Sequence, residues 1–189
     1  QETPQKETTP FYPRSPYGCS KVFGFDVTRN YRESFDLFAC SAISFNHESV
    51  RRPETFVTKK IAAGVARIKH GLQSHLELGN LTAQRDWSHA KDIVMGMYLM
   101  IQQPTPQDFV LASGETHSVE EFVELAFRIA GINDWQKYIK FNPAFMRPAE
   151  VDVLLGDPSK AHRVLGWKRT YSFDDIVADL VTFELAKYL

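Results

Sequence analysis

The sequence has little cysteine, and Cys19 and Cys40 are too few for a disulfide framework. Low cysteine content is typical of a reducing compartment, so we expect a cytoplasmic protein. No apolar run approaches the ~18 residues that a transmembrane helix needs, and residues 1–10 lack the basic and apolar parts of a signal peptide. The net charge of -1 gives no general attraction to nucleic acids or to anionic membranes.

Several motifs with well-defined chemistry are also missing. The chain has no G-x-G-x-x-G loop and no Walker A motif, so it carries no glycine-rich loop of its own for binding phosphate. It has no G-x-S-x-G nucleophile elbow. None of the six histidines lies three or four residues from another, and the cysteines are far apart, so we expect no metal site.

What the sequence does have is the composition of a folded globular protein. Of the 189 residues, 43% are hydrophobic and 24% are charged, enough for one large domain or two small ones. Short apolar segments alternate with amphipathic ones, which predicts an α/β architecture. The near-continuous apolarity of the first strand favours a parallel sheet covered on both faces.

The local patterns predict the individual elements, after an extended loop over residues 1–16. A capping box formed by Ser118 and Glu121 marks one helix start, and Gly131 is its predicted end. The predicted helices span about 15–34, 57–72, 88–103, 118–131, 157–166 and 172–189. The predicted strands span 37–45, 75–78, 108–113 and 138–141, with a polar turn after the first of them.

The first candidate for chemistry is the pair Tyr17 and Lys21, a Y-x-x-x-K motif at a helix start. A spacing of four places both side chains on one helix face. An ammonium group beside a phenol favours the phenolate, and lysine can donate to ribose hydroxyls. The pair is therefore suited to proton transfer beside a sugar or a nicotinamide, although chance also produces ordinary surface pairs with this spacing.

The second candidate is the polar segment that begins at Asn46 and His47 and ends at Arg52. It follows a predicted buried strand, which is where open α/β sheets bind ligands. An amide, an imidazole and guanidinium groups there could contact a cofactor. A solvated turn leading into the next helix is the alternative interpretation.

Two further clusters could bind a phosphate group. Arg85 precedes a predicted helix, where both its charge and the helix start would attract an anion, although Asp86 or Ser88 could simply cap that helix. Arg147 and Glu150 are three residues apart and could hold a phosphate and a ribose or base. A surface ion pair of little energy is the alternative for these two residues.

These clusters occur in a familiar order. The chain contains TPFYPRSPYGCSK, FNHESVRR, FVTKKI, LGNLTAQRDWSHAKD and RPAEVDVLLGDPSKAHRVLGWK, and together these strings resemble the GDP-mannose 4,6-dehydratases. That family belongs to the extended short-chain dehydrogenases/reductases. The RSPY-x-x-x-K string is shared across the superfamily, whereas FNHES, RDW-x-HAKD and RP-x-EVD-x-LLGD are more specific. The resemblance covers essentially the whole chain.

The resemblance implies a Rossmann-type parallel-sheet domain that binds NADP and a smaller α/β domain that binds the sugar nucleotide. Residues 1–50 would be the C-terminal part of the Rossmann domain. Residues 51–189 would mainly form the substrate domain, with 81–115 partly returning to the Rossmann domain. The implied reaction oxidises C4 of GDP-mannose, loses water across C5 and C6, and returns the hydride to C6, giving GDP-4-keto-6-deoxymannose.

The resemblance also implies a role for each matching residue. Tyr17 would be the base at the C4 hydroxyl, and Lys21 would be its catalytic partner, which binds the cofactor ribose and lowers the pKa of the phenol. Both residues would contact the cofactor. His47 and Arg52 would contact the cofactor as well. The positions that would hold the GDP-sugar are Asn46, Val57, Lys60, Arg85, Arg147 and Glu150. The family further implies a homodimer or homotetramer.

The family's glycine-rich loop and its catalytic Thr and Glu would precede the position of Gln1. We therefore expect this chain to be the C-terminal portion of such an enzyme and to be inactive alone. Two alternatives stay open at this point: an epimerase or reductase of the same superfamily, and a non-catalytic GDP-binding module.

Overall fold

A computed structural model describes residues 2–146, 149 and 151–189. Its helices are α1 Pro16–Phe35, α2 Val57–Lys69, α3 Ala90–Ile101, α4 Val119–Ile129, α5 Ser159–Leu165 and α6 Phe173–Leu185. Its strands are β1 Ala42–Ser44, β2 Asn46–Glu48, β3 Leu76–Leu78, β4 Gln84–Arg85, β5 Trp87–His89, β6 Phe109–Leu111, β7 His117–Ser118 and β8 Ile139–Phe141. Short 3-10 helices lie at Trp135–Tyr138, Pro143–Phe145 and Ala186–Tyr188.

Most strand pairs are parallel, which confirms the predicted α/β class. β1 pairs with β6, β2 with β5, and β3 with β8, all in parallel, whereas β4 and β7 are antiparallel. Only Phe45 separates β1 from β2, so this stretch of chain changes its partner strand at that residue. Parallel pairs need long crossover connections, which the helices provide.

Two apolar clusters form the core. The larger one packs α2, α4 and α6 together around Trp87, Phe122 and Phe173, whose rings contact one another. The smaller cluster joins α3, α5 and β6 and includes the fully buried Trp167. Because β1 and β2 pair with strands from different clusters, this stretch of chain links the two.

Signals that act between near neighbours in the sequence predicted several element ends. Ser15 caps α1 by accepting a hydrogen bond from the backbone N–H of Gly18. Ser118 and Glu121 form the predicted capping box of α4. Helix α5 ends at Gly166, which has a positive φ of 64°, a conformation that favours glycine.

The predicted strand over 37–45 and the polar turn after it are only partly correct. Residues 42–44 form β1, but Asn46–Glu48 continue as β2 rather than turning away. Their backbone pairs with Trp87–His89, some forty residues later in the chain. Such distant pairing overrides the polar local pattern.

The predicted helix starting near Ser88 actually begins at Ala90, because residues 87–89 are in β5. Neither Asp86 nor Ser88 caps it. Instead, the imidazole of His89 accepts a hydrogen bond from the backbone N–H of Lys91. Helix α2 likewise ends at Lys69, short of the predicted Leu72.

Helix α1 differs from the other long helices because none of its residues is buried. A partly buried ion pair attaches it to the strand region: Arg32 Nη1 and Nη2 lie 2.9 and 2.8 Å from the two carboxylate oxygens of Asp108. The backbone N–H of Ser41 donates to the same carboxylate over 2.7 Å. Large apolar side chains stay exposed on α1 and on α3, namely Phe23, Tyr31, Phe35, Val94, Met95, Tyr98 and Ile101.

We expect the attachment of α1 to depend on pH. Burial raises the pKa of Asp108, but the hydrogen bonds from Arg32 and Ser41 and the nearby positive charges outweigh it and hold this pKa below its usual range. The stabilisation is thus present above the ordinary aspartate pKa of about 3.9 and is lost as the pH falls through the lower folded-state value. Asp108→Asn should reduce the free energy of unfolding at pH 7 by about 1–3 kcal/mol.

Urea unfolding at pH 7 and near pH 3 checks this prediction. The difference between Asp108→Asn and the unmodified chain should shrink at the lower pH, because Asp108 is then largely protonated in the unfolded state, so that keeping its charge in the folded state stabilises the fold less. An equal difference at both pH values would contradict the role given to the carboxylate charge.

A second prediction concerns close packing at Gly156. A Cβ atom there would lie 2.4 Å from Cβ of Ala112 and 2.7 Å from the Phe45 ring, in the region where β1, β2 and β6 meet. Gly156→Ala should therefore reduce the free energy of unfolding by about 1–3 kcal/mol. Gly24→Ala is the matched control, because a Cβ atom at that position would meet no other segment of the chain within 4 Å and alanine favours the α1 helix. Urea titration should show opposite signs for the two variants, and equal shifts would refute the packing argument.

Candidate functional site

Tyr17 and Lys21 lie together at the start of α1, as their spacing predicted. The ammonium nitrogen of Lys21 is 5.2 Å from the centroid of the Tyr17 ring. The Tyr17 side chain is exposed, with 71% of its surface accessible. A ligand lying against this face of α1 could therefore contact the phenol and the ammonium group at once.

Asn46 and His47 lie in β2, so their side chains point to opposite faces of the strand. The Nδ1 atom of His47 is 2.9 Å from the carbonyl oxygen of Phe45. A carbonyl can only accept, so Nδ1 carries the hydrogen, and Nε2 is the acceptor in the neutral ring. The hydrogen bond thus fixes both the tautomer and the orientation of the imidazole.

Arg52 lies just beyond the end of β2 and is held by a buried carboxylate. Its Nε atom is 3.3 Å from Glu48 Oε2, and its guanidinium carbon lies 3.6 Å from the Phe56 ring centroid. The hydroxyl of Thr58 donates to the same Glu48 oxygen over 2.7 Å. Burial raises the pKa of Glu48, although the Thr58 hydrogen bond and the Arg52 charge oppose that shift. Glu48 was not among the residues predicted from the sequence, where its four-residue spacing from Arg52 was the available signal.

Val57 and Lys60 lie one turn apart at the start of α2. The Lys60 ammonium nitrogen is 3.4 Å from the centroid of the Phe145 ring, a close cation–π contact. Burial lowers the pKa of Lys60, and the charge of Glu77 opposes part of that change. Lys60 therefore faces the chain segment just before Arg147.

Arg85 approaches the other end of that segment from β4. Its Nη1 atom donates to the carbonyl oxygen of Val151 over 2.7 Å and to that of Gln84 over 2.8 Å. Arg147 and Glu150 themselves lie outside the described residues. Lys60 and Arg85 thus reach the chain on either side of the two predicted substrate-binding residues.

Asp86 has a role that its neighbours in the sequence did not reveal. Its fully buried carboxylate accepts backbone hydrogen bonds from Ser113 at 2.7 Å, Gly114 at 3.1 Å and Gly156 at 3.2 Å. Burial raises the pKa of Asp86 in spite of these hydrogen bonds. The carboxylate joins β4 and β5 to the loop after β6 and to the segment that follows Asp152, so it fixes the surroundings of Arg85.

Metal-binding clusters and membrane-spanning helices are both absent from the described part of the chain. It contains no group of three or more histidine, cysteine, aspartate or glutamate side chains placed to hold a metal ion. Within the same residues, no helix is both long and apolar enough to cross a lipid bilayer.

A surface depression of about 380 Å³ is lined by residues outside the predicted site, namely Ser113, His162, Trp167, Lys168 and Arg169.

Comparison with solved structures identifies the class of fold. The structure of RMD from Pseudomonas aeruginosa complexed with NADPH matches 97% of this chain and 60% of that chain with a TM-score of 0.88. The sequence identity is 22%, so this likeness shows the fold alone. The chain has the α/β fold of the Rossmann-type dehydratases and epimerases.

Sequence comparison identifies the family. The family described as GDP-mannose 4,6 dehydratase matches residues 1–180. GDP-mannose 4,6 dehydratase 2 of Arabidopsis thaliana is 53% identical over 186 residues, covering 97% of this chain and 50% of that protein. GDP-mannose 4,6 dehydratase of Drosophila melanogaster is 46% identical over 200 residues, covering 97% and 51%. The chain belongs to the GDP-mannose 4,6-dehydratase family, as its motifs predicted, and spans about half the length of these curated relatives.

Proposed function

We propose that this chain is the C-terminal half of a cytoplasmic GDP-mannose 4,6-dehydratase that converts GDP-mannose into GDP-4-keto-6-deoxymannose. The observation that carries the proposal is the Tyr17–Lys21 pair on an open helix face, in a chain of this family. The names of the relatives favour this activity over the epimerase and reductase alternatives. We also propose the homodimer or homotetramer implied by the family.

The cofactor in this proposal is NADP. Similar folds are named with NADPH in the Pseudomonas structure and with NAD in others, which accords with a nicotinamide cofactor, and the choice of NADP follows the family resemblance. The chain's own residues fit such a group, because Arg52 offers a guanidinium and His47 a fixed imidazole at the same end of β2, while Lys21 offers an ammonium. When bound, the nicotinamide would take a hydride from C4 of the sugar and return it to C6.

Tyr17 acts in this reaction as the base that removes the proton from the C4 hydroxyl. Lys21, whose ammonium nitrogen lies 5.2 Å from the centroid of the Tyr17 ring, would donate to the ribose of the cofactor when it is bound. The resulting ketone at C4 acidifies the hydrogen at C5, so the C6 hydroxyl can leave as water. The resemblance assigns the acid or base at C5 and C6 to a Glu outside these 189 residues.

In this proposal the GDP part of the substrate lies beside the start of α2, near Phe145 and Val151. Lys60 supplies a positive charge from α2, and Arg85 orients the chain at Val151. The predicted contacts Arg147 and Glu150, which precede Val151 in the sequence, belong to the same proposed set. Asn46 and Val57 complete the proposed set from the strand and the helix start. A nucleoside diphosphate suits these cations because its phosphates carry the opposite charge.

The exposed surface formed by α1 and β1 supports the proposal that a further part of the Rossmann domain packs against these two elements. Among the described residues, β1 pairs with β6 alone, and α1 buries none of its side chains. Exposed apolar side chains and strand edges normally have a partner. We propose the same two domains that the resemblance implies. Residues 1–50 and part of 81–115 would belong to the cofactor domain, and the other residues of 51–189 would form the substrate domain.

The test of the proposed function is Tyr17→Phe in the full-length protein that contains this sequence. Loss of the general base should lower kcat about 10²-fold or more, while the dissociation constant for GDP-mannose changes little. Formation of the 4-keto sugar gives the rate, and calorimetric titration gives the affinity. Tyr31→Phe is the matched control, because Tyr31 is an exposed tyrosine on the same helix and should keep normal turnover. Near-normal kcat in Tyr17→Phe would contradict the proposal.

A further inference from the structure

We infer that Glu48 is a positioning residue that orients Arg52 toward a phosphate group of the dinucleotide cofactor. The inference rests on the proposed function, because the family resemblance is what assigns Arg52 to the cofactor. It adds a residue whose effect on cofactor binding is exerted entirely through Arg52.

Arg52 makes an ion-pair contact along one edge, where its buried Nε atom has no hydrogen-bond partner, and a ring contact on one face. Its Nε edge lies 3.3 Å from the Glu48 carboxylate, and its flat face lies on the Phe56 ring. Within the described residues, no hydrogen bond or ion pair involves its terminal nitrogens. These two nitrogens form the fork with which arginine binds phosphate oxygens, so the contacts to Glu48 and Phe56 leave the binding edge open.

The Glu48 carboxylate is itself held in place. It is 1% exposed, lies at the end of β2 opposite His89 of β5, and accepts the Thr58 hydroxyl hydrogen bond. The next residue of α2, Lys59, donates to the carbonyl oxygen of Val50 over 2.8 Å. Two consecutive residues of α2 therefore anchor the start of the loop that carries Arg52.

A backbone hydrogen bond also keeps Arg52 close to the end of β2. The N–H of Arg52 donates to the carbonyl oxygen of Ser49 over 3.0 Å, which closes a tight turn directly after β2. His47 and the guanidinium of Arg52 consequently lie at the carboxyl end of a parallel strand, the end where open α/β sheets bind ligands.

Burial makes the Glu48 charge costly, and a buried ion pair often adds little net stability compared with an uncharged replacement. A positioning role accounts for keeping a carboxylate here rather than an amide. Glutamine has the same shape and can still accept the Thr58 hydrogen bond, but it lacks the charge that attracts Arg52. Glu48→Gln therefore separates the orientation of Arg52 from the packing of the site.

The experiment is a double-mutant cycle in the full-length protein that contains this sequence. The dissociation constant for NADP is measured by calorimetric titration for Glu48→Gln, Arg52→Ala, the double variant and the unmodified protein. Arg52→Ala should weaken binding about tenfold or more, the effect of losing a charge-assisted contact. Glu48→Gln should weaken it several-fold, and the double variant should bind no more weakly than Arg52→Ala.

The controls distinguish positioning from general damage. Glu54→Gln removes the next carboxylate along the chain, which pairs with Arg67 instead of Arg52, so its NADP affinity should be unchanged. Should Glu48→Gln fail to fold, Thr58→Val removes the hydroxyl that orients the same carboxylate oxygen and should give a smaller loss of NADP affinity. For the folded Glu48→Gln and Thr58→Val variants, kcat at saturating NADP should stay near normal while the NADP concentration that gives the half-maximal rate rises.

The outcomes separate this inference from the proposed function. Weak binding in Arg52→Ala with normal binding in Glu48→Gln would overturn the positioning role and leave the proposed function intact. Fully additive losses in the double variant would also overturn it, because Glu48 would then act independently of Arg52. Unchanged NADP affinity in Arg52→Ala would remove the cofactor role of Arg52 on which the inference rests.

Discussion

The parallel pairing of residues 42–48 with two different strands is the constraint on which the rest of the site depends. β1 lies against β6, and β2 lies against β5, so one short stretch of chain joins both apolar clusters. Helix α1 precedes this stretch, and the loop that carries Arg52 follows it. The fixed imidazole of His47 and the proposed phosphate contact Arg52 are therefore placed by the backbone hydrogen bonds of β2, whereas the Arg32–Asp108 ion pair attaches the helix that carries Tyr17.

Buried or partly buried carboxylates hold the segments that carry the candidate residues. Asp108 attaches α1, Glu48 contacts Arg52, and Asp86 binds three backbone N–H groups around the segment near Arg85. Removing a carboxylate from water is costly unless hydrogen bonds or an opposite charge compensate, and each of these groups has such partners. These carboxylates fix the geometry around the candidate residues without having to take part in the reaction.

The sequence predicted the features that depend on neighbours in the chain. The capping box of Ser118 and Glu121, the end of α5 before Gly166 and the shared face of Tyr17 and Lys21 follow from spacings of three or four residues or from the left-handed backbone of glycine. The family strings predicted the family itself. The strand at Asn46–Glu48 and the three partners of Asp86 could not be predicted in this way. They depend on residues that are tens of positions away and meet only in the folded chain.

The most direct test of the central claim follows a hydrogen isotope through the reaction of the full-length protein. GDP-mannose carrying deuterium at C4 is converted, and the product is analysed by mass spectrometry and NMR spectroscopy. Because the proposed reaction returns the same hydride within one active site, we expect GDP-4-keto-6-deoxymannose with deuterium at C6. A product that has kept its C6 hydroxyl, or a 6-deoxy product whose C6 lacks the deuterium, would contradict the proposed dehydration.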